Sequence, residues 1–184
     1  IRGCLLSRGL GDVYKRQILR TLKSNFDHVL IDAPAGIDRS LRGLLSNEIN
    51  ECVLVCTPDD VCIRNAERTA SVLRKKGLTA QRVIVNRLNP DYIRRGEMYA
   101  AQTVALTLDM PLLGEIPEDA EIYRALLHHQ SVMEGESEGR NAIARIALRM
   151  TTDEDVPLPE YGQKRTLFQR LFQRRRKGDE KHVR

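Results

Sequence analysis

A carboxylate followed by a turn of small residues is the feature of this 184-residue sequence that most directly suggests chemistry. Residues 28–38 read HVLIDAPAGID, in which Asp32 ends an aliphatic run and Gly36 closes the turn. Carboxylate oxygens are preferred ligands of Mg²⁺, and nucleotide-hydrolysing enzymes commonly hold this ion with an aspartate. The pattern therefore predicts a magnesium ligand at Asp32.

A magnesium-bound nucleotide also needs a loop that binds its phosphates. The sequence contains no stretch of the form GxxxxGK[ST], and the glycines at 9–11 lack the Lys and Ser/Thr that would follow. Residues 12–17 read DVYKRQ, which resembles the in-frame translation of a transposon end used to prepare DNA sequencing libraries. We therefore expect residues 1–17 to be a non-native segment that packs poorly against the rest.

Strands and helices must position these groups, and they alternate along the chain. Apolar runs bounded by turn residues predict buried strands at 28–32, 52–56, 82–86 and 112–117. Helical spacing of apolar residues predicts helices at 18–26, 41–49, 61–77, 119–129 and 139–150, and a loop passing into a helix over 90–108. This alternation with short connections predicts an α/β fold, with a mostly parallel sheet covered by helices on both faces.

Polar or turn-forming residues stand at the end of each predicted strand: Asp32, Thr57, Asn86 and Pro117. Ligands of parallel sheets bind at the carboxyl ends of the strands, so four such residues at one edge favour a binding site. The same residue types are also favoured in ordinary turns. Position alone leaves both interpretations open.

Five blocks of sequence, in order, carry a family resemblance. LIDAPAGID, TPDDVCIRNAERT, VIVNRLN, RRGEM and LLGEIPED resemble the MinD/ParA family of deviant phosphate-loop ATPases over about residues 18–150. The resemblance implies a phosphate-loop NTPase fold that is incomplete in these residues, with ATP and Mg²⁺ as cofactors. It also implies ATP hydrolysis by the parent protein, whereas a chain without the phosphate loop is expected to be inactive.

The resemblance assigns roles around the phosphates to the HVLIDAPAGID stretch. Asp32 resembles the Walker B carboxylate that holds Mg²⁺, usually through water. Ala35 and Gly36 resemble the switch turn that senses the γ-phosphate, where glycine permits close approach of the backbone.

The resemblance also implies a site for the adenine base at the ends of two later strands. Asn86 resembles the residue that hydrogen-bonds adenine, and Arg87 lies beside it in sequence. Pro117, Glu118 and Asp119 resemble the loop that lines the base. A side-chain amide suits this role because it can both donate to and accept from a purine edge.

Charge separates the end of the chain from the rest. Residues 164–184, hereafter the tail, carry nine basic and two acidic side chains, whereas residues 18–163 carry 17 basic and 22 acidic ones. The segment that directly precedes the tail, 151–163, is polar with two prolines and is predicted to be a linker. The acidic balance of residues 18–163 argues against a nucleic-acid-binding domain.

The tail contains KRTLFQRLFQRRRKG, which predicts an amphipathic helix over 164–178 followed by a polar end at 179–184. Its apolar arc consists of Leu167, Phe168, Leu171 and Phe172, and basic residues that include Arg165, Arg170 and Arg174 lie mostly off that arc. A core helix would not need so many basic residues, and a nucleic-acid tail would not need the Leu-Phe pairs. A helix in the membrane interface explains both.

The combined hypothesis is a membrane-associated ATPase that positions the bacterial division septum. The implied partners are anionic lipid at the inner face of the cell membrane, a second copy of the chain when ATP is bound, MinC, and possibly MinE, with nucleic acid not favoured. We expect a cytoplasmic, peripheral protein, because no apolar run reaches the roughly 18 residues of a spanning helix. The alternatives are a ParA-type or flagellar-number ATPase, or a non-enzymatic membrane adaptor.

Overall fold

A three-stranded parallel sheet forms the centre of the computed structural model, which describes residues 14, 17–33, 49–152, 156–159 and 161. The strands are β1 (Cys52–Cys56), β2 (Gln81–Leu88) and β3 (Leu112–Pro117), with β2 in the middle. Both ladders are parallel, as the sequence predicted. The bounds of β1 and β3 are those predicted, and β2 is longer by one residue at its start and two at its end.

Helices make the connections between these strands. Helix α1 includes residues 14 and 17–25 and precedes the sheet. The others are α2 (Asp60–Lys75), α3 (Pro90–Arg95), α4 (Ala101–Leu108), α5 (Ala120–Leu127) and α6 (Glu138–Thr151), with a 3-10 turn at Val132–Glu134. Where a loop passing into one helix was predicted over 90–108, two helices form because Gly96 ends the first in the left-handed conformation.

The core lies on both faces of the sheet, so the prediction of helices on both faces is confirmed. On one face, α2 and α4 pack against Val83, Val85 and Leu88 of β2. On the other, Ile84 and Leu113 pack against Ile146 of α6. Val83 and Ile84 are neighbours in sequence but point to opposite faces, which is the period of two expected of a strand buried on both sides.

Helix α6 runs antiparallel to β3 and lies very close to it. Near its end, Arg149 Nη2 donates to the carbonyl oxygen of Leu112 at the start of β3, at 3.2 Å. Near its beginning, the amide of Gly139 donates to Asp119, just beyond the end of β3. Between these points, a Cβ on Gly114 would come within 2.1 Å of Cγ1 of Ile146. Only glycine therefore allows this closeness between helix and strand.

The predicted strand over 28–32 does not form, and that prediction was wrong. Residues 28–33 have no regular secondary structure and pair with none of the three described strands. The side chain of Leu30 is 81% exposed and that of Ile31 is 37% exposed. A strand becomes buried only when neighbours satisfy its backbone and cover its faces, and no described element does this for residues 28–33.

Several predictions fall on residues outside the described ranges. These are residues 41–48 of the helix predicted at 41–49, whose last residue is described and not helical, the switch turn at Ala35 and Gly36, the amphipathic helix at 164–178 and the polar end at 179–184. Of residues 1–17, only positions 14 and 17 are described, so the prediction of a poorly packed non-native segment stays a prediction. Among the described residues, no helix is long and apolar enough to cross a membrane.

The predicted linker at 151–163 is more ordered than its composition indicated. Helix α6 extends to Thr151, and Val156, Leu158 and Tyr161 contact α6 or the core cluster. Leu158 and Tyr161 pack on the core cluster that α2 and α4 form with β2. The connection to the tail therefore begins with a docked segment.

Candidate functional site

The ends of β2 and β3 meet at the carboxyl edge of the sheet, and they bring together several predicted site residues. Leu88 pairs with Pro117, and the amide of Glu118 donates to the Leu88 carbonyl oxygen at 2.8 Å. Asn86 and Arg87 therefore lie on the strand beside Glu118, although they are distant from it in sequence. The sequence prediction of one shared edge is confirmed for this pair of strands.

An irregularity in the ladder presents Asn86 and Arg87. Val85 pairs with Glu115 and Leu88 with Pro117, so β2 carries one more residue than β3 between these pairs. Arg87 takes the left-handed conformation with φ of 61°, and the Oδ1 of Asn86 accepts a hydrogen bond from its amide at 2.8 Å. Bulges of this kind re-aim side chains and are common beside binding sites.

Glu118 connects the two loops that follow β2 and β3. Its Oε1 lies 3.6 Å from Nη2 of Arg87, and its Oε2 accepts from Nδ2 of Asn89 at 3.2 Å. The pair with Arg87 is exposed, so it adds little stability. Because Asn86 precedes Arg87 in the chain, an amide, a cation and a carboxylate lie at the same edge.

Asn89 is a contributor that the sequence prediction missed. Its Oδ1 accepts from the amides of Asp91 and Tyr92 at 3.0 and 3.3 Å, so it caps the start of α3, and Pro90 follows as the first helical residue. The Asn-Pro pair before a helical stretch was a readable capping signal. Its link to Glu118 is a tertiary contact that no local pattern reveals.

Asp119, predicted both as a helix cap and as part of the base loop, is confirmed as the cap of α5. One carboxylate oxygen accepts from the amide of Glu121 at 2.8 Å, and the other from the amide of Gly139 at 2.7 Å. Partial burial raises the pKa of Asp119, but the bonds from Gly139, Glu121 and the Ser137 side chain outweigh it and lower the pKa below its usual value. Asp119 thus joins the start of α5 to the start of α6.

We predict that Asp119→Ala lowers the free energy of unfolding by about 0.5–2 kcal/mol at pH 7, the range found for lost helix caps. Because the folded pKa is lowered, the stabilisation is complete above the unfolded pKa of about 4 and is lost as the pH falls through the folded pKa. Urea unfolding at pH 7 and at about pH 3 measures this.

The matched control for that change is Asp91→Ala. Asp91 also stands in the first turn of a helix, but its carboxylate pairs with Arg94 on the surface. Its loss should alter the free energy of unfolding by less than about 0.5 kcal/mol. Equal losses in the two variants, or a deficit in Asp119→Ala that does not shrink in acid, would contradict the bridging role of Asp119.

The end of β1 also lies at the carboxyl edge of the sheet. The Thr57 hydroxyl donates to Asp59, which caps α2 by accepting from the amide of Cys62 at 2.9 Å, and these bonds lower the pKa of Asp59. Burial, together with nearby Cys62 and Asp59, raises the pKa of Cys56 to about 11. Cys56 is therefore a thiol at neutral pH and packs as an apolar side chain.

Asp32, the predicted magnesium ligand, is exposed in the segment at 28–33. Among the described residues, no three His, Cys, Asp or Glu side chains gather as a metal cluster. Mg²⁺ in nucleotide sites commonly takes one or two carboxylates and completes its shell with phosphates and water. Asp32 could supply one such carboxylate, and its role as a magnesium ligand stays a prediction.

Several known proteins resemble the chain in sequence and in fold. The chain is 31% identical over 161 residues to the septum site-determining protein MinD of Helicobacter pylori, covering 84% of this chain and 59% of that protein. The solved MinC:MinD complex of Aquifex aeolicus matches with a TM-score of 0.73 and 26% identity, over 81% of this chain and 62% of that one. No family model matches the chain.

A third match includes a ligand. The septum site-determining protein MinD of Pyrococcus horikoshii, solved with Mg-ADP, matches with a TM-score of 0.62 and 30% identity, over 76% of this chain and 56% of that one. Together with the parallel sheet, these neighbours define an α/β protein of the phosphate-loop NTPase class. Within that class the chain is MinD-like, and it spans 59% of the Helicobacter pylori protein and 62% of the Aquifex aeolicus chain.

Proposed function

We propose that the chain is part of a MinD-like ATPase that positions the bacterial division septum. In this proposal ATP binding drives dimerisation, the dimer binds the membrane through its tails, and hydrolysis releases it. The observation that carries the proposal is the cluster of Asn86, Arg87 and Glu118 on neighbouring parallel strands, in a fold shared with a MinD solved with Mg-ADP.

Each of these residues has a distinct role at a purine base. The Nδ2 of Asn86 has no hydrogen-bond partner among the described residues and is available to donate to a ring nitrogen, while its Oδ1 stabilises the bulge. The Arg87 guanidinium, which pairs with Glu118, would lie beside the base, and Asn89 donates in turn to Glu118. Pro117 is buried at the end of β3 and fixes where the base loop begins.

The residues at the phosphate end come from the segment at 28–36. Asp32 would hold Mg²⁺, usually through water, and the turn at Ala35 and Gly36 would contact the γ-phosphate. The ion, when bound, neutralises negative charge on the phosphate oxygens during transfer to water. The phosphate loop itself would come from sequence beyond these 184 residues.

The tail provides the membrane end of the proposal. The helix at 164–178 would lie in the interface of an anionic membrane with Leu167, Phe168, Leu171 and Phe172 buried, which makes the protein cytoplasmic and peripheral. Among protein partners, MinC is supported by the MinC:MinD complex of Aquifex aeolicus. MinE is proposed only from the family resemblance.

The base site is tested by ATP binding to the protein encoded by the complete reading frame. We predict that Asn86→Ala weakens ATP binding about tenfold, the effect of losing one hydrogen bond of about 1.4 kcal/mol. Asn141→Ala, an exposed amide on α6, is the matched control and should stay within about twofold. Titration with a fluorescent ATP analogue measures both, and unchanged affinity in Asn86→Ala would contradict the assignment.

A further inference from the structure

The docked segment that follows α6 crosses the edge of β3 with which no described strand pairs. Its backbone is held from the α6 side, where Arg149 Nη1 donates to the carbonyl oxygen of Val156 at 2.5 Å. Leu158 and Tyr161, in contrast, pack on the core cluster of the opposite face, which includes Met110 and Leu112. A segment that contacts both faces must pass over the edge between them, and covering an unpaired edge is a common protection of sheets.

The contacts also give the direction in which the segment runs. Arg149 binds Val156 and, through Nη2, the carbonyl oxygen of Leu112, so Val156 lies level with the start of β3. Arg145, one turn nearer the beginning of α6, donates to the Tyr161 hydroxyl at 3.3 Å. Because α6 is antiparallel to β3, a step from Arg149 to Arg145 is a step towards the carboxyl edge of the sheet.

The charges around Tyr161 agree with this direction. Burial raises the pKa of its hydroxyl; the charge of Arg145 lowers it, and those of Glu138 and Glu115 raise it. Glu138 is the first residue of α6, and Glu115 lies in the second half of β3. Both glutamates belong to the half of the fold that leads to Pro117 and Glu118, which agrees with the direction given by the contact of Tyr161 with Arg145.

The length of the segment suits this course. Its sequence VPLP places a residue before each of two prolines, and such residues favour extended backbone. Five extended steps from Val156 to Tyr161 span roughly 16 Å, and the five steps of β3 span about the same distance. The prolines also reduce the conformational entropy that docking removes.

We propose that the described residues 156–159 and 161, hereafter the strap, carry the chain from the amino edge of the sheet towards its carboxyl edge, so that the tail leaves the protein on the side of the candidate nucleotide site. Without the strap, the tail would hang from the end of α6 at the opposite edge. The membrane role of the tail rests on the proposed function, but the path of the strap does not.

Photo-cross-linking of the full chain tests this path. Benzoylphenylalanine is placed at Lys164, three residues beyond Tyr161, and cross-linked peptides are mapped by mass spectrometry without lipid or nucleotide. We expect at least fivefold more cross-links to the carboxyl-edge segments 118–121 and 137–140 than to the amino-edge segment 109–112. Equal yields at the two edges, or an excess at 109–112, would overturn the proposal.

Variants of the strap provide a second test of the proposed path. In Leu158→Ser/Tyr161→Ala, the preference for the carboxyl edge should disappear and hydrogen exchange of the strap amides should rise at least tenfold. Tyr161→Phe keeps the packing and loses only the contact with Arg145, so it should retain the preference. If the double variant fails to fold, as judged by circular dichroism, the wild-type cross-link pattern and strap exchange alone decide.

The experiments can distinguish a failure of the strap proposal from a failure of the proposed function. A protein that binds ATP and membranes but cross-links equally at both edges has a MinD-like activity without the strap path. A protein that cross-links as expected but never binds vesicles has the strap without the membrane role.

Discussion

Phe168→Glu is expected to abolish binding of the protein to anionic vesicles. The change removes one of four apolar side chains of the predicted helix at 164–178, each contributing about 1.5–3 kcal/mol if fully buried, and adds a negative charge near anionic lipid, costing about 1 kcal/mol. A total of about 3 kcal/mol is more than a hundredfold in affinity for one tail. Sedimentation with vesicles of phosphatidylglycerol and phosphatidylcholine measures the loss.

Gln169→Glu is the matched control for that change. It introduces the same charge one residue along the helix, on the polar side, and leaves all four apolar side chains in place. Its effect should be limited to the charge, about 1 kcal/mol or roughly fivefold. Unchanged sedimentation of Phe168→Glu, or equal losses in the two variants, would count against an interfacial helix.

Two tails explain why membrane binding would depend on nucleotide. One tail must offset the ordering of its helix and the loss of translational freedom, so it binds only marginally. When dimerisation links two tails, the second binds at high effective concentration and the pair binds far more tightly. Phe168→Glu acts on both tails of a dimer, which makes its effect larger than the single-tail figure.

Gly114→Ala is expected to produce the largest loss of stability among small substitutions in the sheet. The added methyl group would lie 2.1 Å from Cγ1 and 2.6 Å from Cδ1 of Ile146, so either the side chain or α6 must move. Overpacking of this kind costs about 1–3 kcal/mol, and a contact this close to two atoms of one side chain favours the upper part of that range. Urea unfolding monitored by circular dichroism measures it.

The same methyl group is harmless where there is room. In Gly135→Ala no heavy atom lies within 4 Å of the new Cβ, so the free energy of unfolding should stay within about 0.5 kcal/mol of wild type. The pair Gly114→Ala and Ile146→Ala should be less destabilising together than the sum of the two, because the smaller side chain admits the methyl group. Additive losses would show that Ile146 is not what restricts Gly114.

The elements that the sequence predicted best are those whose signals are local. The CVLVC and LLGEIP runs are apolar and end at turn residues, and β1 and β3 have the predicted bounds. Asp119 precedes a helical stretch and caps it as expected. In each case the sequence signal lies within a few residues, although pairing with β2 and the bond from Gly139 complete the contacts.

The predictions that failed or fell short depend on distant parts of the chain. The run at 28–32 has the composition of a buried strand, but its burial requires neighbours that none of the described elements supplies. Asn89 contacts Glu118 across 29 residues, and the bulge at Asn86 and Arg87 arises from pairing with β3. Periodicity predicts which residues form an element, but not these tertiary contacts.

The strap, which has no regular structure, is a second case in which tertiary contacts could not be predicted from the local sequence. Its prolines and polar flanks are typical of a linker, yet Leu158 and Tyr161 pack on the core cluster. Its docking depends on Arg145 and Arg149, which the helical pattern of α6 places on one side without showing what they bind. Both arginines donate to the strap, and Arg149 also donates to β3.

Vesicle sedimentation of the protein from the complete reading frame, with Mg-ATP and with Mg-ADP, tests the central claim most directly. If nucleotide controls dimerisation and dimerisation pairs the tails, at least tenfold more protein should sediment with anionic vesicles in ATP than in ADP. Phe168→Glu should remain in the supernatant in both. Equal sedimentation of the wild-type protein with the two nucleotides would contradict a nucleotide-controlled membrane switch.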